Sequence, residues 1–378
     1  MKSNYKKLGG YIRLVDKRNK DLSITNLLGV SIEKHFIPSI ANIIGTDLSS
    51  YKVVQTGQFA YGPVTSRNGE KISIAYLDGE DCIISSSYTV FEVVDKNELD
   101  PEYLMLWFSR PEFDRYARYK SHGSVREIFD WDELCMVELP VPDIEEQRTV
   151  VKAYKTITDR IALKKQINDN LTAQLVTLQR QTFPISDDKE NNMPLSNYCK
   201  KIYSGGTPST TEDSYWNGGY PWLSSGETSQ PYITRTEKTI TVAGIKNSST
   251  KLAKRGSIVI ASAGQGLTRG QTSLLMVDTY VNQSVIVIEP KDHLSGLLYS
   301  NLKGRYDEMR VLSDLDSIRG SLTTKTVSSL PVCFPNLDIA KSFSNHCEQF
   351  FELINNNLQE IEMLIVLKNT IISSISSR

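Results

Sequence analysis

The sequence predicts an α+β chain in which two pseudo-repeated, mixed α/β domains alternate with two long helices that pair antiparallel as a coiled coil. Three observations predict it. Two long runs with 3-and-4-spaced apolar residues stand in the middle and at the end of the chain, and their spacing matches residue for residue. The segments before each run also correspond, and they carry short β-branched stretches bounded by glycine and polar turns.

In chain order, the first domain covers residues 1–140. Its segments "GQFAYGPVTSRNG" (57–69) and "SSSYTVFEV" (85–93) read as strands with polar turns, and "ELDPEYLMLWFSRPEFDRYARY" reads as a helix capped by Asp100 with Pro101 at its first position. A central helix occupies 141–183, opened by "LPVPDIEEQRTVV", with no glycine or proline after Pro142. Its seam runs through Val150, Tyr154, Ile157, Ile161, Leu171, Leu175 and Leu178, interrupted by Lys164 and Asn168.

The second domain, 184–334, contains the buried-strand patterns "GSIVIAS" and "SVIVIE". The closing helix, 335–378, places Cys347, Phe350, Ile354, Ile361, Leu364 and Ile371 on its seam, with Asn357 as the polar interruption. Laying Tyr154 on Cys347 aligns Ile157 with Phe350, Ile161 with Ile354, Lys164 with Asn357, Leu171 with Leu364 and Leu178 with Ile371. Upstream, "LGGYIRLVDKRNKDL" echoes "LSNYCKKIYSGGTPS", and "HGSVREIFDWDELCMVELPVP" echoes "RGSLTTKTVSSLPVCFP". A helix of about 37 residues is roughly 55 Å long, so two of them back to back could hold two heads at a set distance, as a ruler suited to two short sites on duplex DNA.

Composition narrows the function classes. With 39% hydrophobic and 23% charged residues the chain is globular, and a net charge of −1 argues against a uniformly basic nucleic-acid binder. Any DNA-binding face is therefore a local patch. Five cysteines without a CxxC pair and four scattered histidines predict no metal site. The lack of a membrane-length apolar run or a signal-peptide core predicts a cytoplasmic protein with no membrane partner. There is no Asn-Pro-Pro-aromatic or Asp-Pro-Pro-Tyr tetrad and no Walker loop, and "GQGLTRG" has the wrong spacing for a dinucleotide fingerprint, so the sequence predicts no catalysis in this chain.

The stretch "SGGTPST…YWNG…PWLSS", the "LPVPDIEEQRTVV" opening of the first helix and the duplicated domain-helix plan together resemble the specificity (S) subunit of Type I restriction-modification systems. The resemblance covers essentially the whole chain. It implies two target recognition domains, each reading half of a bipartite DNA site, and two helices that fix their spacing and dock two methyltransferase subunits. By the same resemblance S-adenosylmethionine, ATP and Mg belong to the methyltransferase and restriction/translocase partners, and this chain holds no cofactor. Where the first helix has "PDIEEQRTV" the second has "PNLDIAKSF", so the Glu-Glu-Gln of the first is not repeated. A coiled-coil scaffold that binds proteins and no DNA is the alternative.

Side chains that suit base edges and phosphates nominate the DNA-facing loops. In the first domain these are Lys17, Arg18, Asn19 and Lys20, with Ser66, Arg67, Asn68 and Lys71. In the second they are Ser204, Gly205, Gly206 and Thr207, then Lys254 and Arg255, then Gln265, Thr268, Arg269 and Gln271. Gly205, Gly206 and Pro208 are expected to stiffen their loop and Trp216 and Trp222 to anchor it. Glu145, Glu146, Gln147 and Arg148 are the candidates for methyltransferase docking.

Overall fold

A computed structural model of the chain describes residues 5–39, 45–66, 68–123, 126–184, 192–264, 267–291, 293–316, 320–334 and 336–375. Its contacts group into two units, residues 1–161 with 363–378, and residues 162–362. Each long helix therefore contributes one part to each unit.

Unit 1 opens with β1 (Tyr5–Lys7), β2 (Ile12–Val15), β3 (Leu28–Val30), β4 (Phe36–Pro38) and β5 (Lys52–Val54). It continues with β6 (Phe59–Tyr61), β7 (Ile74–Tyr76), β8 (Cys82–Ile84) and β9 (Thr89–Val93). Three helices follow, α1 (Pro101–Phe108), α2 (Pro111–Lys120) and α3 (Trp131–Cys135), then β10 (Glu138–Pro140) and the long α4 (Ile144–Thr182). Its main sheet has the order β2-β9-β6-β7, every pair antiparallel.

Strand alternation gives this sheet two covered faces. Phe59, Tyr61, Ile74, Phe91 and Val93 join a core with Leu104 and Phe108 of α1, Phe113 of α2 and Phe129 just before α3, while Ala60, Ala75 and Val90 join one with Val30, Val54, Cys82 and Ile84. Asp100 caps α1 by accepting from Glu102 N at 2.8 Å and Tyr103 N at 3.0 Å, as its position before Pro101 predicts. The segment that reads as one helix is two, because Pro111 forces Arg110 into an extended conformation and restarts the chain as α2.

Unit 2 runs through β11 (Met193–Pro194), β12 (Cys199–Ser204), β13 (Trp216–Leu223), β14 (Tyr232–Ile233), β15 (Lys238–Ile240), α5 (Val242–Lys246) and β16 (Lys251–Ala253). Next come β17 (Ile258–Ala261), β18 (Thr272–Leu275), β19 (Thr279–Val281) and β20 (Val285–Pro290). It closes with α6 (Ser295–Lys303), α7 (Tyr306–Asp316), α8 (Thr324–Ser328), β21 (Pro331–Val332) and α9 (Leu337–Ser374). The main sheet is β12-β20-β17-β18-β14, the order of unit 1 with one strand added, and a second sheet, β15-β13-β19-β16, packs through Leu223, Ala253 and Val281 against Val259, Val285 and Val287.

The repeat extends to single hydrogen bonds. Leu8 N donates to Val137 O at 2.8 Å and Leu195 N to Leu330 O at 2.9 Å. Asp130 caps α3 through Glu133 N, and Thr323 caps α8 through Thr326 N. Asp143 accepts from Glu146 N at the start of α4, and Asn336 from Asp338 N and Ile339 N at the start of α9.

Within unit 2, α4 and α9 run antiparallel around a polar layer. Lys164 Nζ donates to Asn357 Oδ1 at 2.9 Å across a sequence separation of 193 residues, which is the offset of the repeat itself. This repeat-equivalent pair thus meets at the centre of the layer. Asn357 Nδ2 donates to Asn168 Oδ1 at 2.8 Å, and Lys164 also pairs with Glu360 at 2.7 Å.

Other seam residues divide. Ile157, Ile161, Ile354 and Ile361 are buried, and Leu171, Phe350, Leu364 and Ile371 are half-buried. Leu178 departs from the expected seam, being 43% exposed. Beyond Asn168 the buried positions of α4 are Thr172, Leu175 and Gln179, because this part also packs on its own unit, with the Thr172 hydroxyl 2.9 Å from Tyr232 Oη. On α9 the inward ring is Phe351, edge-on to Tyr232 and Tyr299, rather than Phe350.

Candidate nucleic-acid interface

Strand direction places the candidate loops. In unit 1, β2 and β6 are both antiparallel to β9, so they run parallel, and the segments that follow them leave the same end of the sheet. Lys17 and Lys20 stand in the first of these segments, Ser66, Asn68 and Lys71 in the second, and the turn before β9 (85–88) lies between them. Unit 2 repeats the arrangement. There β12 and β17 are antiparallel to β20, so 205–207, the described part of 262–271 and the turn 282–284 share one sheet end.

In unit 1, residues 17–19 pair with 51–53, through Val53 N to Lys17 O at 2.8 Å and Asn19 N to Tyr51 O at 3.0 Å. Arg18 is held by Ser50 O and Asp16, whereas Lys17 and Lys20 are exposed. Asn19 is only 1% exposed and spends its side-chain amide on Ile24, so it shapes the turn and leaves the set of DNA-facing candidates. Asn68 is half-buried with its amide on Val64 O, and Ser66 is exposed. Lys71 pairs with Glu33 at 2.7 Å; that hydrogen bond raises the ammonium's pKa and lowers the carboxylate's, so both stay charged. Arg67 lies outside the described residues.

In unit 2, Gly205 and Gly206 are there for close approach. A Cβ on Gly205 would collide with the Val281 carbonyl oxygen, and one on Gly206 with Ser249 Oγ. Trp222 is buried with its indole N–H on Gly206 O at 3.3 Å, Trp216 meets it edge-on at 5.1 Å, and the Trp216 indole donates to Ser209 O at 2.9 Å. The tryptophans are anchors. Gly205→Ala is expected to cost about 1–3 kcal/mol, because the obstruction is backbone that cannot rotate away. Urea unfolding measures this, and an unchanged midpoint would show that the loop yields.

Ser204 and Thr207 are half-buried, and the Thr207 hydroxyl donates to Gln283 Oε1. Thr268 and Gln271 are half-buried and closed on each other by Gln271 N to Thr268 O at 3.0 Å. Arg269 is 8% exposed, ion-paired with Asp314 against Gly320, so it braces the loop and leaves the set of DNA-facing candidates. Lys254 and Arg255 precede β17 and therefore sit at the opposite sheet end, where both engage Asp278 and hold its carboxyl below the usual range. Gln265 lies outside the described residues. Composition alone does not nominate the turns 85–88 and 282–284; the polar residues directly before "TVFEV" and "VIVIE" are the signal that could have found them.

At the start of α4 the four docking candidates separate. Glu145 and Arg148 are exposed and pair at 3.1 Å, and Glu146 is half-buried. Gln147 is fully buried, accepting from Asp100 N at 2.8 Å and donating to Glu98 O at 2.9 Å and Pro142 O at 2.8 Å. It ties α4 to the start of α1 and offers nothing to a partner. In unit 2 the Ser344 hydroxyl accepts from Gly296 N at 3.0 Å at the start of α6, so a different residue of α9 performs the equivalent anchoring.

Among the described residues no group of three or more His, Cys, Asp and Glu side chains could hold a metal ion, and no helix is long and apolar enough to cross a membrane. The duplicated sheet with its loops at one end has a counterpart among known families. The model of the Type I restriction modification DNA specificity domain matches residues 33–173 and again 189–363. The chain belongs to the Type I restriction-modification specificity-subunit family. As such it is a non-catalytic, DNA-binding recognition component of a restriction system, and the scaffold that binds no DNA is not favoured.

Relatives agree with this membership. The EcoR124I/EcoR124II specificity subunit of Escherichia coli is 24% identical over 300 residues, 75% of this chain and 71% of its own. The HindI specificity subunit of Haemophilus influenzae is 20% identical over 412 aligned positions, 88% of each chain. A crystal structure of an S subunit from M. genitalium aligns with 98% of this specificity subunit and 95% of its own length, with a TM-score of 0.57 at 12% identity, which shows the shared fold.

Proposed function

We propose that this specificity subunit reads an asymmetric bipartite DNA site, one half through the sheet-end loops of unit 1 and the other through those of unit 2. The observation that carries the proposal is the repeat: two sheets of the same strand order present loops at the equivalent end, and the loops differ in sequence. A shared frame with unlike loops suits two unlike half-sites. The long helices then serve as the spacer and as the docking surface for two methyltransferase subunits, with Glu145, Glu146 and Arg148 as surface candidates on the first. Restriction/translocase subunits join that assembly. S-adenosylmethionine, ATP and Mg act on those partners, and this chain supplies double-stranded DNA recognition.

The test is a methylome. The chain is expressed with its methyltransferase in a host lacking adenine methylation, and modified adenines are mapped by single-molecule sequencing. One asymmetric bipartite motif that depends on this chain is expected, and exchanging residues 184–334 for those of a relative should change one half of it and leave the other. An assembled complex that yields no motif, or an exchange that rewrites both halves, would overturn the reading.

A further inference from the structure

The turn before β20 is an exposed polar site held on both sides by hydrogen bonds. Because β20 lies between β12 and β17 in the sheet, residues 282–284 sit between the two candidate loops. Asn282 is buried, donates its N–H to Leu223 O at 3.1 Å, and accepts from Ser284 N at 3.0 Å with its own side chain. Ser284 O in turn accepts from Ser262 N at 2.9 Å. These bonds pin both sides of the turn and leave Gln283 exposed at its apex.

The Gln283 side chain is also held. Its Oε1 accepts the Thr207 hydroxyl, and Thr207 follows Gly206, whose N–H donates to Val281 O at 3.0 Å and whose carbonyl accepts the Trp222 indole. One lone pair of Oε1 is used, and in this exposed side chain the second lone pair and both Nε2 hydrogens remain available. That donor-and-acceptor pair matches the N6–H and N7 edge of adenine in the major groove. A glutamine fixed before binding also loses less side-chain entropy on contact.

We propose that Gln283 reads an adenine of the half-site served by unit 2, and that Thr207, with its glycine-tryptophan loop, is the residue that positions it. The inference rests on the DNA-reading function proposed above. It gives the stiff loop at 204–209 a purpose that needs no charge: a buttress for one base-reading amide.

The experiment uses the complete complex and the same methylome. Gln283→Ala is expected to relax one position of one half-site, with a roughly 5- to 150-fold loss of discrimination there, the range that one lost bidentate base contact spans. Thr207→Val should loosen that same position to a smaller extent, and Thr207→Ser, which keeps the hydroxyl, should restore it. A merely structural loop residue would not single out a base position. An unchanged motif in Gln283→Ala, or a uniform weakening at every site, would overturn the inference while leaving the half-site reading intact. Absence of any motif with the unaltered chain would instead overturn the reading on which it rests.

Discussion

Gln147→Ala is expected to lower the unfolding free energy by about 3–5 kcal/mol, since truncation strands the Asp100 N–H and the Glu98 and Pro142 carbonyls together, and each buried unsatisfied group costs about 1–3 kcal/mol. The native amide serves all three from a fully buried position. Its neighbours supply the contrast. Glu145 has a side chain 79% exposed, and its pair with Arg148 is a surface i,i+3 bridge. Alanine at either is expected to change stability by less than about 0.5 kcal/mol. Urea denaturation of the three variants measures the difference, and equal midpoints would show that Gln147 is not the anchor of α4.

Asn357→Leu is expected to cost about 2–3 kcal/mol, because the substitution breaks a buried polar layer without replacing it. Asn357 and Asn168 are each 6% exposed, and Asn357 is the residue that joins Lys164 to Asn168. Leucine there leaves the Asn168 carbonyl buried without its donor and removes one acceptor from Lys164, which keeps Glu360. The triple variant Lys164→Leu, Asn168→Leu, Asn357→Leu should regain part of the loss, because the three buried polar groups are replaced together and Glu360, which loses Lys164, has a side chain 29% exposed and reaches water. Thermal unfolding compares the two. A triple variant less stable than Asn357→Leu would mean that the layer stabilises the helix pair beyond mutual satisfaction of its own groups.

Elements whose signal is local are legible in the amino-acid sequence. The repeat, the two long helices, the strands of "GSIVIAS" and "SVIVIE" and the Asp100 cap all follow from spacing, β-branching or a single capping geometry. The alignment of Lys164 with Asn357 in the repeat is legible too, but their contact is not, because in an antiparallel pair equivalent residues meet only where the two helices cross at their common centre, and spacing does not say where that is. Leu178 escapes the pattern for a related reason. A seam drawn only against the partner helix omits the second surface that α4 meets in unit 2, and that surface turns Gln179 inward instead.

Candidate residues in the loops are a harder matter. Asn19, Gln147 and Arg269 carry the chemistry of surface readers or docking groups, yet all three are buried as braces. A polar side chain at a turn can bond outward to a ligand or inward to backbone carbonyls, and residue type does not distinguish the two. Lys254 and Arg255 are close to the 264–271 loop along the chain but stand across the length of β17 from it.

By itself the sequence determined the class of the protein, a doubled domain-helix plan with the motifs of a Type I specificity subunit and without those of a catalyst, because composition, spacing and repetition are properties of the chain read in order. Only the tertiary structure decided which loops share a sheet end and which polar side chains face out of it. Loop position follows from the directions of β2 and β6 against β9, and of β12 and β17 against β20, and those directions are set by pairing between strands distant along the chain.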